Sequence, residues 1–216
     1  MAKAIQIDFV SDVVCPWCVV GLRELERALA RLSDVVAPTI ALQPFELNPS
    51  MVPQGEDLNE HITKKYGNRP SEQMAATRAM LKERGAELGF EIAWRDGSRI
   101  YNTFDAHRLL HWAGTQGKEI ALKHVLFGAY FSDTQNIADH DVLASKAESV
   151  GLDGAEARKV LAEGRYAAEV REAEQTWLNS GIHSVPAVIV NRKFLISGGQ
   201  TAAVFEDSLR EIAAQI

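Results

Sequence analysis

Strand patterns lie at the two ends of this 216-residue chain and not between them, which restricts the folds open to it. Ile5 to Val10 alternates apolar and polar residues as a strand does. From Pro16 the period lengthens. Val20, Leu22, Leu25, Leu29 and Leu32 recur near the helical repeat, leaving Arg23, Glu24, Arg27 and Arg31 for the wet side of a helix. Pro38 ends any helix, and Thr39 to Leu47 reads as a second strand that Asn48-Pro49 stops. A strand–helix–strand unit with so long a connection predicts parallel, right-handed pairing.

From there to about Ser180 the pattern is helical, with segments at 57–66, 71–88, 103–116, 118–131, 139–150, 154–163 and 165–179. Ser71 and Asp139 are candidate N-caps, and glycines such as Gly67, Gly117 and Gly164 are credible ends. β character returns with Ala187 to Val190, a tight-turn candidate at Asn191-Arg192, and Phe194 to Ser197, which together predict a hairpin. A last helix spans Thr201 to Ala214. The predicted class is α/β: a thioredoxin-like fold whose β-α-β half (1–48) and β-β-α half (181–216) are separated by a large all-helical insertion (49–180).

The chain has two cysteines, Cys15 and Cys18, separated by Pro16 and Trp17. A secreted domain stapled by disulfides would carry more, at wider spacing. Only the thiolate attacks a disulfide, and the unpaired N–H groups and positive dipole end of a helix start stabilise that charge. Cys15 falls at such a start, and Pro16 suits the first turn, where its missing N–H has no partner to lose. Cys18 projects from the same face one turn later. Cys15 is thus read as the exposed nucleophile, Cys18 as the less exposed resolving thiol, and Trp17 as an apolar surface for substrate. The competing reading is half of a zinc site, completed by His107 and His111 at i, i+4 on a predicted helix. Val185-Pro186 precedes the hairpin, and the sequence leaves its isomer open. Ser197-Gly198-Gly199-Gln200 is either a plain turn or a cradle of backbone N–H groups for a ligand carboxylate. Asn48 either ends its strand or offers an amide to a peptide-like ligand. Trp94, Trp112, Trp177 and Phe131 are read as core.

With 46% hydrophobic and 24% charged residues the composition is that of a soluble globular protein. A net charge of -6 without a basic cluster argues against nucleic acid as a partner. No apolar run approaches the roughly 20 residues that cross a bilayer, so no membrane role is expected. Gln6 and Asp8 interrupt the first apolar run, unlike a signal peptide, and the expected location is the cytoplasm.

Taken in order, Ser11-Asp12-Val13-Val14-Cys15-Pro16-Trp17-Cys18, Pro44-Phe45-Glu46-Leu47-Asn48-Pro49, Asp105-Ala106-His107-Arg108-Leu109, Ser184-Val185-Pro186 and Ser197-Gly198-Gly199-Gln200 resemble the DsbA-like superfamily, and within it the FrnE-like group of cytoplasmic oxidoreductases. The resemblance runs nearly end to end. It implies that Cys15 and Cys18 form a redox pair without a bound cofactor or metal, acting on polypeptide or small-molecule disulfides and dithiols. It implies further that Pro186 is cis and that Val185 presents its backbone to a bound peptide. Pro16, Trp17, Asn48, Val185, Pro186 and Gln200 are the expected substrate-binding residues. The same superfamily includes 2-hydroxychromene-2-carboxylate isomerases and kappa-class glutathione transferases, which typically carry serine at the position of Cys15. Their likeness makes glutathione a candidate partner and a glutathione-dependent isomerase or transferase the alternative function, with Asn48, Val185 and Gln200 as contacts. Pro16-Trp17 lacks the histidine found in periplasmic DsbA, so its redox poise does not carry over. The second cysteine pair of some FrnE-like relatives is absent.

Overall fold

A computed structural model describes residues 2–52, 54–67 and 71–216, Ser71 by its backbone alone. The expected Ser71 side-chain cap lies outside the described residues. In chain order the elements are β1 (Lys3–Ser11), α1 (Pro16–Arg31), β2 (Val36–Pro44), β3 (Glu56–Asp57), α2 (Leu58–Tyr66), α3 (Ser71–Glu87), β4 (Arg99–Ile100), α4 (Phe104–Gly114) and α5 (Glu119–Phe127). There follow a π-helical turn (Gly128–Ser132), α6 (His140–Ser149), α7 (Gly154–Ala162), α8 (Ala167–Asn179), β5 (Ala187–Val190), β6 (Phe194–Ser197) and α9 (Ala202–Ala214). The chain divides into two compact units, Met1–Phe45 with Arg171–Ile216, and Glu46–Val170.

The first unit holds a four-stranded sheet in the order β2-β1-β5-β6. β1 runs parallel to β2, from Lys3 opposite Val36 to Ser11 opposite Pro44, and antiparallel to β5, from Ile7 opposite Val190 to Val10 opposite Ala187. As a central strand it is buried on both faces, so Asp8 and Val10 are as enclosed as Ile7 and Phe9. β2 starts earlier than its residues suggest, because Val36 and Ala37 pair with Lys3 and Ala4. It is an edge strand, so Pro38 sits within it without breaking a central ladder. Asn191 and Arg192 turn the β5–β6 hairpin with φ of 51° and 53°. α1 packs on α9, joining Leu22 and Leu25 to a core with Phe205 and Leu209. Glu24 departs from the wet side predicted for it: only 7% exposed, it faces the start of α9, where Ala202 N–H donates to its Oε2 at 3.1 Å.

The second unit is helical except for the two-residue pair β3–β4, with Glu56 opposite Ile100 and Asp57 opposite Arg99. Two residues are too few to leave a strand period in the sequence. Asp57, Asp139 and Asp153 cap α2, α6 and α7 through their carboxylates. The helix predicted at 118–131 is α5 continued by the π-helical turn. Arg108, 3% exposed on α4, donates to the carbonyls of Val160, Leu161 and Arg165 and to Asp105 Oδ1.

Candidate redox site

The site grows out of the end of β1. Cys15 N–H donates to Asp12 O at 3.3 Å, closing the turn that leaves the strand. Cys15 is the N-cap of α1, in extended conformation with φ -90° and ψ 112°, and Pro16 takes the first helical turn. Its carbonyl accepts from Cys18 N–H at 3.0 Å and Val19 N–H at 3.4 Å. The thiol therefore stands at the positive end of a 16-residue helix. Both cysteines are free thiols. The expected contrast in exposure is small: Cys15 retains 4% and Cys18 none, so the nucleophile candidate is nearly covered rather than exposed. Pro16 and Trp17 are half-buried.

From the other end of the chain, the Val185-Pro186 bond is cis, and Val185 O lies 3.8 Å from Cys15 Sγ, within reach of the thiol as donor. Gly198 N–H donates to Pro186 O at 2.9 Å. Gly199 rests on α1 so closely that a Cβ there would stand 2.8 Å from Trp17 O. One on Gly21 would stand 3.0 Å from Pro186 Cγ. The glycine pair is thus a packing device that lets the turn lie against the cysteine helix. Three N–H groups around the turn have internal partners: Gly198 N–H bonds Pro186 O, Gln200 N–H bonds Gly198 O, and Ala202 N–H bonds Glu24. The Gln200 amide donates to Ser197 O at 2.7 Å.

Cys15, Pro16, Trp17, Cys18, Val185, Pro186 and Gln200 all belong to the first unit. Asn48 belongs to the second, where its Oδ1 meets His61 Nε2 at 3.0 Å and Lys65 Nζ at 2.7 Å. His107 is 3% exposed on α4, while His111 is exposed and lies against Tyr166, the ring centroids 5.1 Å apart and the planes tilted by 40°. Among the described residues no three His, Cys, Asp or Glu side chains converge as metal ligands would. Trp112, Trp177 and Phe131 are core residues, and Trp94 is half-buried.

Two features escaped the sequence reading. Glu24 reads as solvent-facing in the sequence, and nothing there marks its partner at the start of α9. Asp8, with no exposure, accepts from Gln43 Nε2 at 2.7 Å, and Gln43 Oε1 accepts from Trp177 Nε1 at 3.1 Å. An acidic residue inside an apolar strand was the available signal. Among the described residues no helix is long and apolar enough to cross a membrane.

A thiol pair at a helix start, beside a proline loop on a thioredoxin-type sheet, defines the class. The chain belongs to the DSBA-like thioredoxin domain family, which it matches over residues 6–210. It is 31% identical to YwbO, an uncharacterized protein of Bacillus subtilis (strain 168), over 208 residues covering 96% of each chain. A probable DsbA oxidoreductase of Streptomyces coelicolor superposes with a TM-score of 0.91 at 32% identity, over 98% of this chain and 91% of that one. The cytosolic disulfide reductase DsbM of Pseudomonas aeruginosa, solved with GSH, shares the fold with a TM-score of 0.60 at 16% identity, over 97% of this chain and 98% of that one.

Proposed function

We propose that this protein exchanges disulfides through Cys15 and Cys18. The observation that carries the reading is Cys15 at the N-cap of α1, with Cys18 one turn behind and Val185 O at 3.8 Å from the first sulfur. The Cys15 thiolate attacks one sulfur of a substrate disulfide, a mixed disulfide forms, and a substrate thiolate leaves. Cys18, once deprotonated, attacks Cys15 Sγ; the second substrate sulfur leaves with its electron pair and takes a proton. The substrate is then a dithiol and the protein a disulfide. Run backwards, the same steps oxidise a dithiol, and partial runs isomerise. The partners are polypeptide or small-molecule disulfides and dithiols, with glutathione as redox partner. The location is the cytoplasm, which agrees with a chain whose only cysteines are this pair and with the fold it shares with a cytosolic reductase.

Replacing Cys15 by Ser should abolish insulin reduction, whereas Cys18→Ser should accumulate a mixed disulfide visible by mass spectrometry. An active Cys15→Ser variant would sink the reading. A glutathione-dependent isomerase or transferase predicts instead that glutathione binds tightly after both sulfurs are replaced. Calorimetry on the double variant separates the two.

A further inference from the structure

Trp17, Gly21 and Glu24 stand at i, i+4 and i+7 on α1 and so form one stripe of that helix. The stripe faces the turn before α9. A carboxylate as enclosed as that of Glu24 is costly unless it is bonded. Here it accepts the N–H of Ala202, the first residue of α9, and stands 4.0 Å from the Arg27 guanidinium. The anion-favouring end of α9 is thereby filled from α1. The residues just before Ala202 lead back to the thiols. Gly199 lies against the Trp17 carbonyl, Gly198 N–H holds Pro186 O at 2.9 Å, and the neighbouring Val185 O lies 3.8 Å from Cys15 Sγ. A continuous series of contacts joins Glu24 to the sulfur, and it ends on a carbonyl within reach of the Cys15 thiol as acceptor.

We propose that Glu24 is a positioning residue of the redox pair: by holding the start of α9 it fixes the 198–201 turn, and through that turn the placement of Val185 O over Cys15. This deepens the disulfide-exchange reading and rests on it for its functional meaning.

The test is the pH profile of Cys15 alkylation by iodoacetamide, measured in a Cys18→Ser background so that one thiol reacts. Glu24→Ala removes the acceptor, and Glu24→Asp keeps the charge but is one methylene short. Each should let the turn drift and shift the profile from that of the wild type, changing the alkylation rate near neutrality about threefold or more. Glu24→Gln retains an oxygen for Ala202 N–H and should keep the wild-type profile. Folded Glu24→Ala and Glu24→Asp variants with the wild-type profile would overturn the proposal. So would a Glu24→Gln variant that moves as far as Glu24→Ala, since charge would then be acting in place of the hydrogen bond. If Glu24→Ala does not fold, Glu24→Asp decides. Absence of disulfide exchange in the wild-type protein would remove the functional reading, while the alkylation profiles would still report on the positioning.

Discussion

Two glycines set how closely the turn before α9 approaches the cysteine helix, and they differ in what a methyl group would meet. At Gly199 an added Cβ lies 2.8 Å from the Trp17 carbonyl oxygen and 3.3 Å from its ring. The first is backbone inside a helix and cannot yield, so the turn must move. At Gly21 the nearest atom is Pro186 Cγ at 3.0 Å, and the site is mid-helix, where Ala gains about 1 kcal/mol over Gly. Overpacking typically costs about 1–3 kcal/mol. Gly199→Ala should therefore lower stability to urea by roughly that amount. Gly21→Ala should fall within about 1 kcal/mol of wild type, propensity offsetting the clash. Equal losses at the two sites would contradict this account.

Among the elements, α4 and α7 show a helix end completed by a side chain from elsewhere. The last-turn carbonyls of Val160 and Leu161 accept from Arg165 N–H at 3.1 Å and Gly164 N–H at 3.3 Å, and the Arg108 guanidinium adds a further donor to each at 2.9 and 3.0 Å while Asp105 takes its remaining edge. Lysine has no planar fork, so Arg108→Lys should cost about 2–4 kcal/mol in urea unfolding, nearly as much as Arg108→Ala. A lysine variant as stable as wild type would show that one donor suffices. Arg165, in the turn after α7, also pairs with Glu156 in the first turn of that helix. The hydrogen bond from Arg165 holds the Glu156 carboxyl below its ordinary value of 4.5. A carboxyl whose folded value is lowered contributes stability above the ordinary value and loses it as pH falls towards the folded one. Glu156→Gln should thus be slightly less stable than wild type at neutral pH, with the gap closing in acid. Because the pair is half-exposed, added salt should narrow the gap as well.

For the molecule as a whole, the terminal strand patterns and the cysteine spacing were enough to read a thioredoxin-like α/β fold with a helical insertion. Local chemistry carried that much: proline at a helix start, alternation in Ile5 to Val10, turn residues at Asn191-Arg192. What escaped depends on distant partners. The start of β2 is set by pairing with β1, not by its own residues, and β3–β4 is too short to have a period. Glu24 is buried because α9, about 178 residues away in sequence, brings an N–H to it. The low exposure of Cys15 is likewise a property of the folded chain rather than of its neighbours in sequence.

The contact between Cys15 and Val185 O joins residues 170 positions apart. Translation proceeds from the amino end, at about 5–20 residues per second, so α1 and both thiols leave the ribosome well before Val185 exists. During that interval the cysteines belong to an open helix start, and β1 lacks the strand that will pair with it on one side. A chain arrested before β5 would be the form of this protein whose thiols are most readily alkylated or cross-linked. Arrival of Val185 is the event that gives Cys15 its cover.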